Sequence, residues 1–309
     1  MNFGVKVLLV VNYHYIRDEI PKDGIYPVTS SFFRHQLELI HKNGYEFVSL
    51  NQINKVIKEK ENTLPEKSCL ITFDDGLKES YDIGLSILDE MGIPASFYII
   101  SDTLVNNKLI NVHKLHYLRS KIDIKDIFSF LNSDIDKLDE ISVLNQYPFD
   151  DMETAKIKYL LNFVEPKLIN DTFSKYIDTP EEDIAKDLYM NNDQIKDLYT
   201  RGYLGTHGRA HKPLSTLSDD ELHNDINNSK NVIENLCGGL IESISYPYGE
   251  TTAVDNRVIK KCKELDFVSG FTMFRGLNSV DELINNPLMI KRLDTNEVFG
   301  GKYENKYEL

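Results

Sequence analysis

The chain has 309 residues, 41% of them hydrophobic and 27% charged, a soluble globular composition that suits one large α/β domain or two smaller ones. A net charge of −14 argues against nucleic acid as a partner, because phosphate binding needs clustered Lys and Arg, and disfavours an anionic membrane surface. The three cysteines, Cys69, Cys237 and Cys262, are scattered and form no CxxC pair, which fits a reducing compartment and offers no metal framework.

The first apolar run, Val5 to Val11, reads as a buried β-strand and leads into Asn12-Tyr13-His14-Tyr15. It is too short for a signal peptide or a membrane span, so no span is expected and the expected location is the cytoplasm. Thr29-Ser30-Ser31 is a capping cluster; Phe33, Leu37 and Ile40 follow at helical spacing, and Gly44 stops the helix. A strand over Tyr45–Leu50, a charged helix over Asn51–Lys60 and a strand over Cys69–Phe73 come next, the last entering Asp74-Asp75-Gly76. Ile83, Ile87 and Met91 mark a helix ending at Gly92, and Pro94–Ile100 returns to strand. Strand alternating with helix predicts parallel strands with helices outside them.

The rhythm breaks between residues 102 and 195, where the pattern is helical, polar and acidic. Leu115, Leu118 and Ile122 form one apolar stripe, and Ile157, Leu160, Leu161 and Val164 another. A segment of this length is no loop, so it reads as an inserted helical subdomain serving as a lid or a dimer surface. His113 and His116, three apart within it, read as ordinary polar residues of a helix. Alternation resumes with strands at Tyr203–Thr206, Ser243–Tyr246 and Phe267–Thr272 and helices at Ser218–Leu236 and Ala253–Leu265. About seven or eight strands result, enough to close a barrel. The barrel is assigned to residues 1–101 and 196–309, with 102–195 as the insertion.

Three clusters fall at predicted strand ends, where α/β folds place their sites. In Thr72-Phe73-Asp74-Asp75-Gly76 a turn at Gly76 frees both carboxylates to enter one cleft, one binding a cation and the other taking a proton from water. The alternative is a plain Asp-Gly hairpin turn, which suits an antiparallel hairpin better than a strand leading into a helix. In His207-Gly208-Arg209-Ala210-His211 two imidazoles four residues apart can face one metal; the alternative is a pair of surface histidines. With Asp75 they make a two-histidine, one-carboxylate shell that leaves a position for water. In Ser245-Tyr246-Pro247-Tyr248-Gly249 the proline fixes the backbone, and the Tyr248 N–H could stabilise an oxyanion while the aromatic rings cover a sugar face.

In this order, TFDDG at 72–76, HGRAH at 207–211 and SYPYG at 245–249 resemble the metal-dependent polysaccharide deacetylases, carbohydrate esterase family 4. The similarity runs over residues 5–101 and 196–294 and leaves the insertion unmatched. It implies a distorted (β/α) barrel of seven or eight strands that removes an N-acetyl group from an amino-sugar substrate in glycan biosynthesis. By the resemblance Asp74 is the general base, and Asp75, His207 and His211 hold a divalent metal. Zn2+ is expected first, then Co2+, Ni2+ or Mn2+. Pro247, Tyr248 and Tyr13 are expected beside the substrate. Two other readings are hydrolysis of a different C–N bond, N-formyl or cyclic ureide, and a non-catalytic sugar-binding relative. With no secretion signal in the sequence, a nucleotide-linked, lipid-linked or free sugar is the expected substrate, and a homodimer through the insertion is the expected assembly.

The chain departs from the family pattern at three places. Gly208 stands where Ser or Thr is usual, which removes a loop hydrogen bond but no ligand. Ser245 stands where an Arg usually orients the catalytic Asp; Arg292 is the candidate replacement from a late strand, the alternative being an exposed or salt-bridged arginine. No histidine follows Tyr248, so the family's late acid histidine is missing. Permuted members carry that acid in an N-terminal Tyr-His segment, which Tyr13-His14-Tyr15 resembles. The resemblance therefore assigns His14 as the general acid, provided that it faces the same cleft as Asp74.

Overall fold

The computed structural model describes residues 6–147, 150–307 and 309, and the chain divides into two compact units. One comprises residues 1–18, 27–106 and 188–309; the other comprises 19–26 and 107–187. Val5, where the first strand was expected to start, lies outside the described residues.

The larger unit is built on a curled, mostly parallel sheet. Among the described residues its strands are β1 (Val7–Tyr13), β2 (Glu46–Phe47), β3 (Lys67–Phe73), β4 (Ala95–Ile99), β5 (Leu204–Thr206), β6 (Ser243–Ser245), β7 (Ser269–Phe271), β8 (Asn278–Ser279) and β9 (Leu293–Asp294). They run in the order β7-β6-β5-β4-β3-β1-β8, with β2 beside β3 and only β8 antiparallel to its neighbour. Residues 290–294 bridge from β7, one end of this path, to β1. Ile290 pairs in parallel with Phe271 of β7, while Leu293 and Asp294 pair in parallel with Val11 and Asn12 of β1. The parallel strands follow from the alternation of strand and helix, and the fold is the distorted (β/α) barrel that the family resemblance implies.

Alternation along the strands separates two apolar layers. Leu8, Val10, Leu70, Tyr98, Phe271 and Ile290 pack together in one, whereas Leu9, Val11, Tyr13, Ile71, Phe73 and Phe97 pack with helix residues such as Phe33, Leu37 and Leu88 in the other. Capping decides several boundaries. Ser49 closes a reciprocal cap with Gln52, so the helix Leu50–Glu59 begins where the sequence suggested strand. The Asp255 side chain accepts from the Arg257 and Val258 N–H groups, so the helix Asn256–Glu264 begins later than the expected start at Ala253. Gly205 lets Tyr98 lie against β5, since a Cβ there would meet the ring at 2.4 Å.

The smaller unit is helical: Asn111–Lys121, Ile124–Ile135, Glu140–Gln146, Met152–Tyr159 and Leu168–Tyr176 are its principal helices, three of them capped by Asp123, Asp139 and Asp151. Its core includes Leu115, Leu118, Ile127, Leu131, Ile157, Leu160 and Leu161. Val164, expected on the second stripe, is 44% exposed, because the chain widens into a π-helical turn over Leu160–Val164 and turns that residue outward. His113, expected on a polar face, is buried. The helix Asn192–Thr200, whose first four residues were expected inside the insertion, belongs to the barrel unit and leads into β5.

Candidate active site

The site is assembled at the C-terminal ends of β1, β3, β5 and β6, together with the segment that follows Ile290. Asp74 extends the ladder by one step, its N–H donating to the Tyr13 carbonyl at 3.1 Å. The chain then turns through two successive left-handed residues, Asp75 at φ 75° and Gly76 at φ 69°. The turn therefore starts one residue earlier than the glycine suggested. Asp74 and Asp75 are both buried, at 2% and 3% exposure.

The loop after β5 is held from both sides. The His207 N–H donates to the Ile99 carbonyl at 2.8 Å, and Ser101 and Asp102 donate to the Gly208 and Arg209 carbonyls. The Arg209 N–H donates to Asp225 Oδ1 at 2.8 Å. Gly208 sits at φ 72°, and a Cβ there would approach Asp225 Oδ1 to 3.1 Å, so glycine suits both the backbone and the space.

This loop brings His207 Nε2 and His211 Nε2 to 3.4 and 3.5 Å from Asp75 Oδ1. Those separations are long for a charge-assisted hydrogen bond, normally about 2.7–2.9 Å. They match what a shared cation needs, since tetrahedral donors about 2.0–2.2 Å from a zinc-type ion lie roughly 3.3–3.6 Å apart. His207 Nδ1 lies 2.8 Å from the Ser245 carbonyl. A carbonyl only accepts, so Nδ1 carries the proton and Nε2 keeps its lone pair for a ligand. The donor set fits a divalent cation, and the three residues are the metal-capable cluster found among the described residues.

Of the six described non-glycine residues with positive φ, three lie at this site: Asp75, His211 at 53° and Tyr248 at 63°. Each such conformation costs on the order of 1 kcal/mol or more and persists where the surroundings over-determine it. Here the strain aims two ligands and the third motif. The Tyr248 ring stands edge-on to His211 at 4.8 Å, next to Pro247, so the tyrosine forms one wall of the cleft.

Arg292 takes the place that Ser245 leaves. It is fully buried and grips Asp74 with two bonds, Nη1 to Oδ1 at 3.0 Å and Nη2 to Oδ2 at 2.8 Å, while Nη2 also donates to Ser245 Oγ at 2.9 Å. The serine thus accepts a bond from the very guanidinium that stands in for the one its own position lacks. Burial pushes the Asp74 carboxyl up, but the charge of Arg292, then that of His207, the Arg292 hydrogen bonds and the charge of His14 outweigh it, and the group settles at about 2 against an ordinary 3.8. His14 is half-buried directly after β1, close enough for its charge to act on Asp74.

The Tyr13 side chain is not at the site, although its carbonyl accepts the Asp74 N–H. It occupies the opposite side of the strand from Asn12, fully buried between Phe33 and Phe73, with its hydroxyl donating to Gln36 Oε1 at 2.5 Å. Side-chain alternation along β1 gives the reason. The other tyrosine of the segment, Tyr15, lies where the charge of Asp75 reaches it: burial and then Asp75 push its phenol well above the ordinary value. Asn12, which sequence reasoning passed over, is 1% exposed and donates to Asp74 Oδ2 at 3.1 Å. One signal could have found it: a period of two along β1 puts Asn12 on the face away from the apolar Val11 and Tyr13, as a polar residue with no solvent to meet.

A protein-family model described as polysaccharide deacetylase matches residues 61–126 and 147–269. That match runs through much of 102–195, the stretch that the three motifs alone leave uncovered. The chain is 32% identical over 87 residues to the poly-beta-1,6-N-acetyl-D-glucosamine N-deacetylase of Escherichia coli (strain K12), covering 28% of this chain and 13% of that protein. It is 28% identical over 125 residues to the enzyme of the same name from Staphylococcus epidermidis, covering 37% and 42%. The matches thus span less than half the length of either curated relative. The fold is similar to a de-N-acetylase from Aggregatibacter actinomycetemcomitans (TM-score 0.63, 17% identity, 97% of this chain and 99% of that one). It is also similar to the Streptococcus pyogenes deacetylase PplD in complex with acetate (TM-score 0.61, 15% identity, 97% of both chains).

Proposed function

The chain belongs to the polysaccharide deacetylase family, and on that premise we propose that it removes the N-acetyl group from an N-acetylated amino sugar of a glycan. The observation that carries this reading is the convergence of Asp75, His207 and His211 beside a buried, arginine-held Asp74. A divalent cation, Zn2+ first, would supply Lewis acidity toward the amide carbonyl and toward water. Asp74, ionised at neutral pH, accepts the proton that water gives up as its oxygen attacks the carbonyl carbon. His14 protonates the departing nitrogen, so that the C–N bond breaks to acetate and a free amine. Arg292 fixes the orientation of Asp74, and the N–H of Tyr248 serves the oxyanion, with Pro247 holding its backbone.

The names of the Escherichia coli and Staphylococcus epidermidis relatives make a β-1,6-linked N-acetylglucosamine oligomer the first substrate to test. The protein, stripped by chelation and reloaded with Zn2+, is incubated with that oligomer, with nucleotide-linked N-acetylglucosamine, with an N-formyl analogue and with a cyclic ureide. Acetate release from an N-acetylated sugar, dependent on reloading, is expected. Turnover of the formyl or ureide compound alone would overturn the reading.

A further inference from the structure

We infer that Asn12 is a positioning residue for Asp74 and leaves Asp74 Oδ1 as the oxygen open to the reaction, an inference that rests on the reading of Asp74 as the base. Asn12 stands one residue from the end of β1, and its amide is engaged at both ends. Its Nδ2 donates to Asp74 Oδ2 at 3.1 Å and approaches Met273 Sδ at 3.7 Å. Its Oδ1 accepts from Arg292 Nη1 at 2.8 Å and lies 3.1 Å from Thr72 Oγ1, whose one proton also faces the Val11 carbonyl at 2.9 Å. A guanidinium has no acceptor, so the oxygen must face Arg292 and the NH2 group must face Asp74. Turned over, the amide would set a donor against a donor and an oxygen against a carboxylate.

Arg292 is equally committed. Its Nε donates to the Thr272 carbonyl at 2.9 Å, Nη1 to Asn12 and Asp74, and Nη2 to Asp74 and Ser245, which accounts for all five of its N–H groups. Asp74 Oδ2 therefore receives two N–H donors, from Arg292 and Asn12, whereas Oδ1 receives one, from Arg292. A carboxylate oxygen accepts about two hydrogen bonds, so the unused lone pair lies on Oδ1. Arg292 alone would leave one lone pair on each oxygen. Asn12 removes that degeneracy, and it does so from a strand that neither Asp74 nor Arg292 occupies.

The test uses the metal-loaded full chain and steady-state acetate release, with Asp74→Asn as the reference for the underlying reading. Asn12→Asp is nearly isosteric and keeps the acceptor for Arg292 while replacing the donor to Asp74 with a second carboxylate oxygen. Asn12→Leu keeps the branched skeleton of the side chain and removes both functions. Loss of about 10- to 100-fold in kcat is expected for Asn12→Asp, the scale of outer-shell partners at metal sites, with KM within twofold, metal content unchanged and Tm preserved. Asn12→Leu should lose at least as much, and if it fails to fold Asn12→Asp decides the matter. A kcat within twofold of the parent in Asn12→Asp, or a loss that tracks falling metal content or a rising KM, would overturn the inference. If Asp74→Asn itself retained activity, the reading of Asp74 as base would fail; if Asp74→Asn is inactive and Asn12→Asp is not, only the role of Asn12 fails.

Discussion

Arg292 in the barrel unit and Lys114 in the helical unit are both buried cations held against a carboxylate, and their surroundings differ in kind. Lys114 donates to Glu181 Oε1 at 3.0 Å and Asn170 Oδ1 at 2.7 Å and lies over the Phe173 ring, while Glu181 also accepts from the Leu109 N–H. These bonds tie helices and a connecting segment together, and among the described residues no metal-capable cluster accompanies them. Arg292 joins β1, the end of β3 and β6, and it holds a carboxylate that stands next in sequence to a metal-capable Asp75 in a left-handed conformation. A buried ion pair alone says little about function. What separates the two is whether reactive groups and strain converge on the same point.

That contrast can be broken most severely at the ligand cluster. His211→Ala should lose bound metal and bring acetate release to background, both read on one preparation by elemental analysis and turnover. Next comes the grip on Asp74. In Arg292→Lys the charge stays but the two-pronged geometry goes, so kcat should drop by about 10- to 100-fold with metal retained. An unchanged kcat would reduce Arg292 to the purely structural part that Lys114 plays.

The chain's legibility follows the same division. Asp74, Asp75, His207 and His211 were readable because short motifs at strand ends carry their own chemistry, and Arg292 because Ser245 left an orienting role open. Asn12 was not readable, since an asparagine at a strand end becomes informative only once the facing strand and the closing segment 290–294 are in place. Tyr13 was misplaced for a related reason: Tyr-His-Tyr looks like a cluster, yet strand alternation sends its first member into the helix-facing core. Residues 19–26 join the helical unit although its remainder, 107–187, follows only after a long run of barrel residues, a pairing that no local periodicity reports.

Acid titration sharpens the comparison with a smaller effect. Asp74 has a folded pKa of about 2, below its ordinary 3.8. Its contribution to stability is therefore complete above about pH 5 and is lost as pH falls through 4 toward 2. In urea unfolding the stability gap between the parent and Asp74→Asn should be flat above pH 5 and shrink by on the order of 2 kcal/mol toward pH 2. A gap independent of pH would mean that Asp74 is not held charged. The smallest effect belongs to the helical unit. Lys114→Met should cost about 1–2 kcal/mol of stability, by the same unfolding assay, and leave kcat within twofold.

The most direct measurement is a paired one on Asp74→Asn: bound metal per chain and acetate released from the N-acetylglucosamine oligomer. If Asp74 is the base beside an Asp75-His207-His211 metal site, metal content stays at the parent level while acetate release falls by about 10²- to 10⁴-fold. Acetate release at the parent rate with metal still bound would contradict the account.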